Sequence, residues 1–203
     1  NNMKYTDLRK NINSAVFDNR DLHLQGLKVF GYQFSLWQKQ GHITKLKNGV
    51  YAFNDQIDNI IPEEITLKLY SPSYISLEKA LSIYGIIPEV VYGITSVTAK
   101  TTRTFKNKIG TYTFRHIKPS LFFGYQEIKE DQHRYLLAEP EKALLDYLYL
   151  NLSKIKTYHD LIDLRLNFPQ IIEQISTKKI TEYLSRFEQD KLKEIIKSIL
   201  KDK

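Results

Sequence analysis

The chain has no cysteine, one methionine and one tryptophan, and only eight glycines and six prolines in 203 residues. Without cysteine there is no disulfide, no thiolate metal ligand and no thiol nucleophile. No apolar run approaches the roughly 18 residues of a membrane span, and the first residues lack the basic, apolar, small-residue order of a secretory signal. A cytoplasmic protein without a membrane partner is therefore expected. The glycines form neither a Walker A loop nor a dinucleotide fingerprint, and no Gly-x-Ser-x-Gly elbow occurs. The five histidines never stand at a metal-ligand spacing from one another. No catalytic residue, cofactor or metal is expected, and the chain reads as a non-enzyme. An enzyme in its second half would need Glu139, Glu141, Asp146, Arg103 and His116 to converge in one pocket.

What is present is positive charge, unevenly distributed. The formal net charge is +7. Residues 28–53 carry Lys28, Lys39, Lys45 and Lys47 with no acid among them. A second block, Lys100, Arg103, Lys106, Lys108, Arg115 and Lys118, falls in the acid-free interval between Glu89 and Glu127. Segregation of this kind is the electrostatic footprint of a polyanion binder. For the second block, an idle solvated sheet face is the competing reading.

Residues 28–53 organise the rest. At about 100° per residue, Phe30, Phe34 and Trp37 share one stripe of a helix, and Lys28, Tyr32, Ser35 and Lys39 share the opposite one. Gly41 stops the helix. Two alternating runs follow, 42–46 and 50–53, around Asn48-Gly49, a dipeptide suited to a tight hairpin turn. Gly31 disfavours a helix interior, so the helix is expected to start near Tyr32, with Lys28 in the preceding turn. Upstream, 4–12 and 19–24 read as two shorter helices, the second capped by Asp18 or Asn19. Helix, helix, turn, helix and basic hairpin is the order of a winged helix-turn-helix domain.

The fold class expected is α+β. Residues 1–60 form the winged helix-turn-helix, and 61–203 a second domain that is β-rich with an antiparallel sheet over 90–138 and helical over 139–203. Residues 65–69 alternate briefly like a strand. Ser76 is placed to cap a helix carrying Leu77, Ala80, Leu81 and Tyr84. Glu139-Pro140-Glu141 starts another helix, with Lys142 and Asp146 set on its polar side away from Leu144, Tyr147 and Leu148.

On the DNA reading, the third helix enters the major groove and presents Tyr32, Gln33, Ser35 and Lys39, with Gln33 suited to a bidentate adenine contact. Lys45, Lys47 and Asn48 then grip the backbone or minor groove, and Lys28 touches phosphate. The block from Lys100 to Lys118 forms a possible second basic surface.

Four stretches taken in order resemble the AbiEi antitoxins, regulators of viral-defence operons: WQKQGHITKLKNGVYAF, PSYISLEKALSIYGIIPE, ITSVTAKTTRTFKNKIGTYTFRHI and LLAEPEKALLDYLYL. The resemblance spans roughly residues 16–151, and the tail after Lys154 matches no motif. It implies a bacterial type IV antitoxin whose N-terminal domain represses its own operon by binding inverted repeats in double-stranded operator DNA. It also implies a C-terminal domain that counters a co-encoded nucleotidyltransferase toxin of the AbiEii type without a stable complex. Chromosomal relatives that act only as regulators leave open a chain with no toxin partner.

Overall fold

A computed structural model of the chain describes residues 3–130 and 133–201. The first unit runs α1 (Tyr5–Asn11), β1 (Val16–Asp18), α2 (Asn19–Leu24), α3 (Gly31–Lys39), β2 (Ile43–Lys47) and β3 (Val50–Phe53). The chemistry of its turns explains its boundaries. The Asp18 carboxylate accepts from the backbone N–H groups of Arg20 (2.8 Å) and Asp21 (3.1 Å), while the Asp21 carboxylate accepts from the Asp18 N–H (2.7 Å). This reciprocal box satisfies donors that the start of α2 would otherwise leave open. At the other end of the unit's longest helix, Gly41 takes φ +74°. The N–H groups of Gly41 and His42 then reach back to the carbonyls of Gln38 and Trp37, closing α3 with a Schellman turn.

The three strands pair antiparallel in the order β1-β3-β2. Because successive strand residues face opposite sides, this small sheet serves two cores. Phe17, Tyr51 and Phe53 join Leu8, Ile12, Phe34, Trp37 and Ile43 beneath the helices. Val16, Val50 and Ala52 turn the other way and enter the core of the larger unit. Residue 60 thus stands near a change of core, yet the packing is continuous across it. Short 3-10 turns at Asn54–Asn59 and Pro62–Ile65 make the passage.

The larger unit contains α4 (Thr66–Leu69), β4 (Tyr74–Ile75), α5 (Leu77–Ile83), β5 (Ile94–Thr98), β6 (Arg103–Lys106), β7 (Thr111–His116), β8 (Tyr125–Glu130) and β9 (His133–Ala138). The helices α6 (Pro140–Asn151), α7 (Tyr158–Ile162), α8 (Phe168–Gln174), α9 (Thr177–Leu184) and α10 (Asp190–Leu200) follow. The stretch expected to alternate as a strand, 65–69, is the helical turn α4, where Leu69 is buried and Thr66 bonds back to the Glu63 carbonyl at 2.6 Å. The sheet order is β6-β7-β5-β4-β9-β8. It is mixed rather than antiparallel, because β5 with β7 and β4 with β9 run parallel. Alternation along one strand carries no information about the direction of its neighbour, and the parallel pairs arise where intervening segments cross over.

Two polar residues expected on the outside of α6 are inside it. Lys142 and Asp146 are fully buried and pair with each other one helical turn apart. The Lys142 ammonium also donates to the Tyr74 hydroxyl at 2.8 Å, and Tyr74 and Ser76 donate to Asp146 at 3.0 and 2.9 Å. Ser76 therefore stands at the start of α5 without capping it, since its hydroxyl is committed to the carboxylate. Burial lowers the Lys142 affinity for its proton and raises that of Asp146, and mutual attraction opposes both shifts.

Candidate nucleic-acid interface

Helix α3 is anchored from below by Phe34 and Trp37, whose rings meet edge to face, and by the parallel stacking of Phe34 on Tyr51 at 4.5 Å. That leaves Tyr32, Ser35 and Lys39 outward. Phe30 does not join the buried stripe. It precedes the helix, is 42% exposed and stacks on Tyr32 at 6.1 Å. Lys28 lies ahead of the helix with its ammonium 5.2 Å from the centre of the Phe30 ring.

Gln33 sits on the buried side of α3. Expected to read adenine, it is 3% exposed, and both ends of its amide are occupied. Its oxygen accepts from the Phe30 N–H at 2.9 Å and its nitrogen donates to the Met3 carbonyl at 2.6 Å. Gln33 ties the start of α3 to Met3 and lies away from the exposed stripe of the helix. The third helical position also suits a side chain that reaches back to the cap, a signal present in the sequence beside the polar stripe.

On the hairpin, Lys45 and Asn48 are exposed. Lys47 is half-buried, and its ammonium donates to the Leu69 carbonyl at 2.7 Å and stands over Phe105 of β6. Around it gather Lys100 and Arg103, each 5.6 Å from the centre of the Tyr70 ring. Burial, then the nearby Arg103 and Lys100 charges, hold the Lys47 pKa below the usual lysine range. A groove of about 350 Å³ between the two units is lined by Asp18 together with Arg20, Lys47, Asn48, Lys68 and Lys100. Arg20 and Lys68 were not singled out from sequence. Each is paired with an acid, Arg20 with Asp18 (2.8 Å) and Lys68 with Asp21 (2.6 Å). Among the described residues, Lys47, Lys100 and Arg103 form no ion pair.

The second basic block does not stay together. Arg103 is opposite Phe114 and shares a sheet face with Phe105, whereas Lys106 is opposite Thr111 and points to the other face, with Arg115. Lys108 sits in the β6–β7 turn, and Lys118 pairs with Glu188 at 3.3 Å. Lys100 and Arg103 are the members of the block whose charges act on Lys47 of the hairpin.

Of the groups an enzyme would need, Glu139 and Glu141 both face Lys179 and Tyr183, and the others have partners of their own. Asp146 is enclosed with Lys142, Glu139 accepts from Lys179 (3.1 Å) and Tyr183, and Glu141 accepts from the Ser176 N–H (2.7 Å). His116 Nδ1 lies 2.9 Å from the Lys100 carbonyl. Among the described residues no helix is long and apolar enough to cross a membrane. Comparison with family models and with curated proteins returns no match.

Proposed function

We propose that the chain is a DNA-binding transcriptional repressor whose first 60 residues form a winged helix-turn-helix. The order α1-β1-α2-α3-β2-β3 and the strand order β1-β3-β2 support that reading. The observation that carries it is the meeting of two acid-free cationic stretches at the hairpin, where Lys47, Lys100 and Arg103 lie together without carboxylate partners among the described residues. Helix α3 enters the major groove with Tyr32, Ser35 and Lys39, while Lys45 and Asn48 approach the backbone and Lys100 and Arg103 extend the contact beyond the first unit. Clustered cations of this kind gain affinity by releasing counterions from phosphate.

The resemblance to AbiEi antitoxins extends the proposal. The chain represses its own operon at inverted repeats, and its larger unit counters a nucleotidyltransferase-like toxin encoded beside it. The test is twofold. Duplex DNA from upstream of its gene should be retarded by the full chain in a gel at physiological salt. Co-expression with the neighbouring gene should restore growth that this gene alone arrests. Retardation without rescue would leave a regulator that has no toxin, and no retardation would remove the DNA reading.

A further inference from the structure

We infer that α3 reads DNA sequence mainly through thymine methyl groups, with Tyr32 and Leu36 as the reading side chains. This rests on the DNA-binding reading above and names the kind of site that reading leaves open. Tyr32, Ser35, Leu36 and Lys39 are spaced i, i+3, i+4 and i+7, so they form one outward stripe. Tyr32 is 55% and Leu36 47% exposed, high values for apolar bodies on a helix whose opposite side is packed. A Leu at that position gains nothing from the core and cannot make a hydrogen bond.

The polar readers on this helix are otherwise engaged. The Gln33 amide is buried, and the Gln38 amide donates to the Phe34 carbonyl at 3.1 Å. The Ser35 hydroxyl donates to the Gly31 carbonyl at 3.3 Å. Lys39 remains as a cation that suits phosphate or a guanine edge. In the major groove the feature that an apolar side chain recognises is the thymine C5 methyl. Charge fits a duplex as the occupant rather than a protein surface, because Lys39 belongs to the stripe, Lys28 stands over the Phe30 ring that stacks on Tyr32, and the chain has no acid between Asp21 and Asp55.

The test begins by selecting binding sites from a pool of random-sequence duplexes with the full chain near physiological salt. The enriched site is then remade with deoxyuridine in place of thymidine, which removes only the methyl, or with 7-deazaadenine in place of adenine, which removes the N7 acceptor. Loss of each contacted methyl should weaken binding roughly fourfold, the equivalent of one buried methylene, while 7-deazaadenine leaves affinity within twofold. Tyr32→Ala and Leu36→Ala, both at exposed positions, should bind the thymidine and deoxyuridine duplexes alike. Indifference of the native chain to deoxyuridine, or a large penalty from 7-deazaadenine, would overturn the inference. So would duplex binding that enriches no sequence. In each of those cases DNA binding itself stands, whereas failure to bind any duplex would overturn the DNA-binding reading instead.

Discussion

The ammonium of Lys47 stands 5.5 Å from the centre of the Phe105 ring, so the hairpin of the first unit rests on the edge strand β6 of the second. Phe105 in turn meets Tyr70 at 5.9 Å and Phe114 at 5.8 Å. The docking is thus aromatic beneath and cationic above. Phe105→Ala should cost about 2 kcal/mol, below the range for a fully buried Phe because the ring is only partly buried. It should also weaken duplex binding without removing a charge. Thermal denaturation and a binding titration on the same variant check both halves.

The Lys142–Asp146 pair makes a sharper prediction. Removing one member of a buried pair strands the other charge, typically at about 3–5 kcal/mol, whereas replacing both by apolar residues can be nearly neutral. Asp146→Ala should therefore lower stability severely, and the double change Lys142→Met with Asp146→Leu should recover most of the loss. Urea denaturation of the two variants decides the matter. Equal losses in both would mean that the hydrogen bonds from Tyr74 and Ser76 matter more than the charges.

Acid should act through Asp18. Burial alone would raise its pKa, but the Arg20 guanidinium and the N–H groups that open α2 outweigh burial and hold it below the ordinary carboxylate range. A depressed folded-state pKa contributes stability that is fully present above the unfolded value, about 3.9, and is lost as pH falls through the folded value. Asp18→Asn should be less stable than the native chain at pH 7, and the gap should close as the pH falls through the depressed folded-state pKa of Asp18. Unfolding midpoints measured from pH 7 down to pH 2 would show a constant gap if Asp18 had no such role.

Gln33→Ala should destabilise the chain by about 0.5–1.5 kcal/mol per lost hydrogen bond, because the half-buried Met3 carbonyl and Phe30 N–H lose their partner. Base preference should not change. A relaxed preference at one base position, with stability intact, would restore Gln33 as a reading residue.

The small unit was largely legible in the sequence, because its signals are local. Asp18 before a helix, Gly41 after one and Asn48-Gly49 between alternating runs each specify a backbone geometry within a few residues. The mixed sheet was not, since strand direction depends on partners distant in sequence. Lys142 and Asp146 were misplaced for a related reason: their i, i+4 spacing fits an exposed salt bridge as well as a buried one. Only the hydroxyls of Tyr74 and Ser76, about 70 residues away, make the interior tolerable for them. The cationic interface was half visible. Total charge and its absence of acids could be counted, but the alternation that sends Lys106 and Arg115 to the opposite face from Arg103 requires the register of β6 on β7.

On the proposed DNA-binding reading, Lys39, Lys100 and Arg103 neutralise phosphate on one duplex. The most direct test is the slope of log Kobs against log salt for duplex binding, measured for the native chain and for Lys39→Ala combined with Lys100→Ala and Arg103→Ala. Each phosphate contact contributes about 0.9 to that slope, so the triple variant should shallow it by about 2.7 while the fold stays intact. An unchanged slope, or a native chain whose binding ignores salt, would contradict the account.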